Sequence, residues 1–190
     1  MSIIHVPRGH PMRACTEAFI AETYAAHYGA SSILLPPLLQ ATLDPSGRHV
    51  CACGMRFDSD GFLSEAYLDH SVERVLSDHS ERKVNRKAIF EVASLASRSP
   101  RASFSFLLDI ITYGERAGFE WALFTATERL RSLLACLNLE LVHIADARPE
   151  RLRSQADWGT YYEHAPQVCA VSRQAVAHYF MKRKRSFQHA

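Results

Sequence analysis

The run Lys87-Ala-Ile-Phe-Glu-Val-Ala-Ser-Leu-Ala96 leads into Ser97-Arg-Ser-Pro-Arg-Ala102, a helix-period segment from Ser103, and Glu120-Trp-Ala-Leu-Phe-Thr-Ala-Thr127. Glu128–Leu137 and Glu140-Leu-Val-His-Ile-Ala145 complete the series. Ala88–Ala96 has the apolar, β-branched character of a buried strand. The next six residues are basic and broken by Pro100. Phe104, Leu107, Leu108, Ile111 and Tyr113 then recur near one helical face up to Arg116, with Gly118 as the stop. Strand, helix, strand, helix, strand at these lengths predicts an α/β layer. Basic residues where a strand gives way to a helix suit an anionic ligand, because that is where free N–H groups and the helix dipole point.

Outward from this stretch the reading is coarser. Residues 12–29 read as a helix ended by Gly29, and the prolines at 36 and 37 interrupt an apolar run that would pack as a loop or short turn. Asp44-Pro-Ser-Gly47 is a turn between two strands, the second over His49–Arg56, and Glu65 to Asp78 reads as a helix. Gln167–Ser172 reads as a last strand, with residues 173–180 helical. The expected organisation is one domain over 1–180 with a basic tail over 181–190, where Lys182-Arg-Lys-Arg185 is a solvated end or a contact for an anionic surface.

Composition bounds the function. With 190 residues, 47% hydrophobic, 22% charged and a net charge of +2, the chain suits a packed domain with no electrostatic case for nucleic acid. Five cysteines without framework spacing predict a reduced, cytoplasmic setting. The N-terminus lacks signal-peptide character, and no apolar run is long enough to span a bilayer as a helix.

Glu91 is the residue with the clearest chemical tension. A carboxylate between Phe90 and Val92 must be paired, hydrogen-bonded or neutral if buried. It is either a general base or amine anchor with a raised pKa, or a structural residue facing solvent or paired with Arg56 or Arg86. Arg98 and Arg101 flank Pro100 and are either anion ligands or a solvated basic loop. Thr125 ends a strand and faces a ligand there, whereas Thr127 better suits a helix N-cap. Trp158, Tyr161 and Tyr162 either plug the core or line a substrate pocket. His49, Cys51 and Cys53 alternate onto one strand face, but with no second ligand pair the reading is buried packing and no metal.

Taken together, Tyr67-Leu-Asp69, Glu91-Val-Ala-Ser-Leu-Ala96, Trp121-Ala-Leu-Phe-Thr-Ala-Thr127, Leu130-Arg131 and Trp158-Gly-Thr-Tyr-Tyr-Glu163 with Pro166 and Val168 resemble the bacterial thermostable hemolysin family over residues 27–172. More distantly, that family is similar to acyl-homoserine-lactone synthases and so to GCN5-related acyltransferases. The resemblance implies a single-domain mixed sheet flanked by helices. It further implies an acyl group moved from a CoA or acyl-carrier-protein thioester to a small-molecule amine. Arg56 and Glu91 match the synthases' substrate-side arginine and glutamate. The family pattern carries Gly-Asn where this chain has Ala93-Ser94, so a role of that Asn would pass to the Ser94 hydroxyl. The pantetheine arm would lie where two central strands splay, near Glu91–Ser94 and Thr125, with its phosphates toward Arg98, Arg101 and Ser103. Backbone N–H groups of Ala93–Ala96 would face the oxyanion, and Arg56, Trp158, Tyr161 and Tyr162 would line the acceptor side. No nucleophile–base arrangement is readable, so direct attack by the amine is expected. A membrane-perturbing protein without enzymatic activity is the alternative, favoured by the basic tail and the aromatic cluster.

Overall fold

The computed structural model describes residues 3–136, 139–152 and 157–188, and within its last helix it leaves aside the side chains of residues 180 and 182–188. Its centre is a mixed sheet of seven strands: β1 (Ile3–Val6), β2 (Leu38–Leu43), β3 (His49–Arg56), β4 (Ile89–Ser97), β5 (Trp121–Ala126), β6 (Val142–Asp146) and β7 (Gln167–Ser172). The spatial order is β1-β2-β3-β4-β5-β7-β6. Among the described strands only β4 and β5 pair in parallel, and the crossover that a parallel pair requires is made by a helix.

Among the described residues, five α-helices cover the two faces. On one lie α1 (Arg13–Tyr28), against Leu39, Ala41 and Ala52, and α2 (Val72–Ser80), against Ile89, Trp121 and Leu123. On the other lie α3 (Pro100–Arg116), α4 (Glu128–Cys136) and α5 (Arg173–Gln188), packed on Cys53, Phe90, Phe124 and Val171. Period-two alternation sends odd residues of β5 to the first face and even ones to the second. Cys51 and Cys53 are fully buried against α3, and His49 is buried with its Nε2 2.8 Å from the Thr16 hydroxyl.

Several boundaries differ from the sequence reading, each for a local reason. α3 begins at Pro100, not Ser103, because Ser99 caps it by accepting from the Ala102 N–H and Pro100 occupies the first turn, where a missing N–H costs nothing. The single helix expected over Glu65–Asp78 is two elements, a 3-10 turn (Leu63–Tyr67) and α2. Glu65 causes the break: its carboxylate accepts from the Val72 N–H and binds Arg86, fixing the chain between them. Leu38 and Leu39 lie in β2, which starts directly after the prolines, and β1 carries no signal strong enough to be read. α5 continues through the basic run to Gln188.

The feature that shapes the site is a break in the sheet. β4 and β5 pair only from Ile89/Trp121 to Val92/Phe124, after which the strands part. On the other side of β4 the register with β3 shifts between Ala52/Ala96 and Gly54/Ala93, which places an extra residue in β4. Ser94 sits in this bulge with φ 51°, a left-handed conformation unusual for a residue bearing a Cβ.

Candidate active site

The parting of β4 and β5 opens a cavity of about 440 Å³ that passes from one face of the sheet to the other. Its first side is polar and aromatic, lined by Tyr24, Tyr67, Glu91, Thr125, Trp158 and Tyr161. Its second side, under α3, α4 and α5, is mainly apolar, with Leu107, Ile110, Ile111, Phe124, Leu134 and Val176 alongside Glu115, Arg129, Ser132 and Arg173. Ser94, Leu95, Ser97, Arg98, Ser99, Pro100 and Ser103 border it along β4 and the start of α3.

Glu91 is 1% exposed, on the polar side of the sheet. It makes no ion pair with either arginine named as its structural partner. Oε2 accepts from the Leu63 N–H at 2.6 Å; Oε1 accepts from the Ser64 N–H at 2.8 Å and the Ser64 hydroxyl at 2.5 Å. Arg86 is committed elsewhere, to Asp58, Glu65 and Glu73. Arg56 lies opposite Glu91 in the β3–β4 register and supports its negative charge across space. Burial nonetheless dominates and holds the carboxyl's pKa above its ordinary range, against the opposing pull of the three donors and Arg56. A buried carboxyl with a raised pKa at a cavity wall has the character of a proton-accepting group.

The hydrogen bonds continue beyond the carboxylate. Ser64 Oγ lies 2.9 Å from Thr125 Oγ1, and Thr125 is the first residue of β5 past the point where β4 stops pairing. A second polar pair joins Tyr67 and Tyr162 through their hydroxyls at 2.7 Å. Burial raises both phenol pKa values, so these hydroxyls stay protonated. Tyr161 packs among Tyr24, Tyr28, Trp158 and Tyr162 and donates to the Thr125 carbonyl at 3.4 Å. Among the described residues, three buried polar atoms of the lining have no hydrogen-bond partner: Ser94 Oγ, Trp121 Nε1 and Trp158 Nε1. Unpaired polar atoms at a cavity wall are available to a ligand.

The structure therefore brings together Glu91, Ser94, Arg98, Ser103, Thr125, Trp158 and Tyr161 around one cavity. It leaves Arg56, Arg101 and Tyr162 off the lining. Arg56 acts on Glu91 from the adjacent strand, Tyr162 acts through Tyr67, and Arg101 is exposed in the first turn of α3. Arg98 is partly occupied: its Nε donates to the His49 carbonyl at 2.7 Å and its guanidinium covers the Phe19 ring. Ser103 donates its hydroxyl to the Ser99 carbonyl. Ser64, Tyr24 and Tyr67 join the site beyond the residues that sequence reasoning points to. Ser64 carries no sequence signal, because its role comes from a 3-10 turn folding over a strand 27 residues later. Among the described residues no group of His, Cys, Asp and Glu is arranged to hold a metal ion, and no helix is long and apolar enough to cross a membrane.

The family model of the thermostable hemolysins matches residues 6–177. The chain belongs to the thermostable hemolysin family. No curated protein matches it in sequence. Among solved structures it is similar to the AHL synthase LasI, with a TM-score of 0.58 and 8% identity over 90% of each chain. FeeM, an N-acyl amino acid synthase from uncultured soil microbes, gives 0.56 at 12% identity, covering 90% of this chain and 92% of that one. A GCN5-related N-acetyltransferase from Kribbella flavida gives 0.51 at 11% identity, covering 90% and 97%. At these identities the likeness establishes a fold, and that fold is the GCN5-related acyltransferase one.

Proposed function

We propose that this thermostable hemolysin family member transfers an acyl group from a CoA or acyl-carrier-protein thioester to the amine of a small molecule. The observation that carries the reading is Glu91: a buried carboxylate with a raised pKa, at the wall of a cavity that opens where β4 and β5 part. In this reading the amine enters on the side of Tyr24, Tyr67 and Thr125, and loses a proton toward Glu91. The acyl chain lies on the opposite, apolar side beneath α3 and α4. An arm lined by Leu107, Ile110, Ile111 and Leu134 offers an acetyl group little to touch and a longer chain much. Backbone N–H groups of the bulged β4 segment, with the unpaired Ser94 hydroxyl, face the thioester carbonyl where negative charge develops. The thioester's phosphates run toward Arg98 and the N-terminus of α3, where Ser103 lies in the first turns and Arg101 adds positive charge. Neighbouring proteins of the same fold that are described as an AHL synthase and an N-acyl amino acid synthase support this class of reaction.

The test is a matrix of donors and acceptors. CoA thioesters from acetyl to palmitoyl, and the same chains on an acyl-carrier protein, are each offered with free L-amino acids and short alkylamines. Thiol release and mass spectrometry of the product read the outcome. Long-chain donors are expected to react and acetyl-CoA is not. No thiol release from any pair, together with dye leakage from anionic vesicles caused by the protein alone, would replace this reading with a membrane-perturbing one.

A further inference from the structure

We infer that the amine's proton does not pass to Glu91 directly but through two hydroxyls, Thr125 and then Ser64, which form a built relay between the cavity and the buried carboxylate. The inference rests on the acyl-transfer reading and goes beyond it by naming the path. Glu91 borders the cavity but is only 1% exposed; the two acceptor positions of Oε1 are filled by the Ser64 N–H and the Ser64 hydroxyl, and Oε2 already accepts from the Leu63 N–H. An ionised carboxylate only accepts, so Ser64 Oγ must donate to Oε1. Its own oxygen is then the acceptor for the Thr125 hydroxyl 2.9 Å away. In the ionised form, the one that can take up a proton, this sets the direction of both bonds and leaves the Thr125 oxygen with free lone pairs at the cavity wall. The three groups come from three separate elements (β4, the 3-10 turn and β5), so the alignment is a property of the fold and of no local motif.

As the amine nitrogen forms its bond to the thioester carbon, one N–H proton moves to Thr125 Oγ1. The Thr125 proton moves to Ser64 Oγ, and the Ser64 proton moves to Glu91 Oε1. The C–S bond breaks, and the sulfur leaves as thiolate. After product release the carboxyl returns its proton to water by the reverse path, which restores the carboxylate. Thr125 is the group that touches substrate; Ser64 acts through it.

The experiment uses the full chain, with octanoyl-CoA and an amino acid that accepts from it. Ser64→Ala and Thr125→Val are each expected to lower kcat by roughly 10²-fold with little change in the KM for octanoyl-CoA, the range for losing proton transfer. Thr125→Ser, which keeps the hydroxyl, is expected to recover most of the rate. Adding Glu91→Gln to either single variant is expected to cost little more, because members of one relay are not additive. If Thr125→Val stays within about twofold of the unaltered enzyme while Glu91→Gln loses roughly 10²-fold, the amine meets the carboxylate directly; the relay then falls and acyl transfer stands. A substrate-free readout keeps the two claims separate. Infrared titration of the Glu91 carboxyl, assigned by its loss in Glu91→Gln, should move upward in Ser64→Ala and Thr125→Val. A titration unmoved by both overturns the relay even if no transfer is found.

Discussion

Glu91 shows how one residue can be read from sequence as anomalous without its environment being readable. Its place in an apolar strand forces a choice between burial and exposure, and the structure settles it as burial with three donors. That environment makes a stability prediction independent of catalysis. The folded-state pKa is raised above the ordinary carboxyl value of 4.5, so the folded protein holds this proton more tightly than the unfolded chain. The resulting stability is fully present below the unfolded value and is lost as pH rises through the folded one. Glutamine cannot titrate, and its amide NH2 would face the Leu63 N–H, leaving a buried donor unpaired at a cost of about 1–3 kcal/mol. Scanning calorimetry should therefore find Glu91→Gln less stable than the unaltered protein, by a margin that shrinks as the pH is raised from acid to neutral. A margin constant in pH would mean that the carboxyl titrates in the fold as it does in the open chain.

The elements were legible to different degrees, and the reason lies in how far each one's cause extends along the chain. β3, β5, β7 and α1 follow from local periodicity and were read within a residue or two of their bounds. The start of α3 and the break before α2 depend on backbone N–H groups donating to the side chains of Ser99 and Glu65, which periodicity does not record. Harder still is the segment Trp158–Tyr162, legible as aromatic but not as a strap closing the cavity against the end of α1. Gly159 makes that closure possible. It adopts φ 52°, and a Cβ there would collide with the Tyr28 carbonyl, which accepts from the Thr160 N–H at 2.7 Å. Gly159→Ala is expected to cost about 1–2 kcal/mol for the left-handed backbone alone, and more for displacing the strap. Thermal melts should detect the loss, and quenching of Trp158 fluorescence by acrylamide should rise as the indole leaves the Tyr24 and Tyr161 rings. An unchanged melt and unchanged quenching would show that the strap holds without this contact.

At the scale of the molecule, the parting of β4 and β5 converts a continuous sheet into one with a passage between its two faces, and the chemistry of the two sides differs because the covering helices differ. The polar side receives α1, the 3-10 turn and the aromatic strap; the other receives α3, α4 and α5. A thioester lying in the passage would direct its acyl chain to the apolar side, where Ile111 lines the cavity and packs only partly into the core. Replacing Ile111 by tryptophan adds bulk into the open arm with less disturbance than at Leu107 or Leu134, both nearly buried. Ile111→Trp should leave the melting temperature close to that of the unaltered protein. It should shorten the preferred donor chain by several carbons, read as a shift in the kcat/KM maximum across the thioester series at unchanged KM for the amine. Each methylene that no longer fits forfeits about 0.8 kcal/mol, close to a fourfold loss in kcat/KM. The opposite side supplies the control: Tyr24→Trp narrows the side proposed to admit the amine and should raise the amine KM without moving the chain-length optimum. If both variants altered chain preference equally, the two sides would not be separate compartments and the acyl chain would run along the polar face.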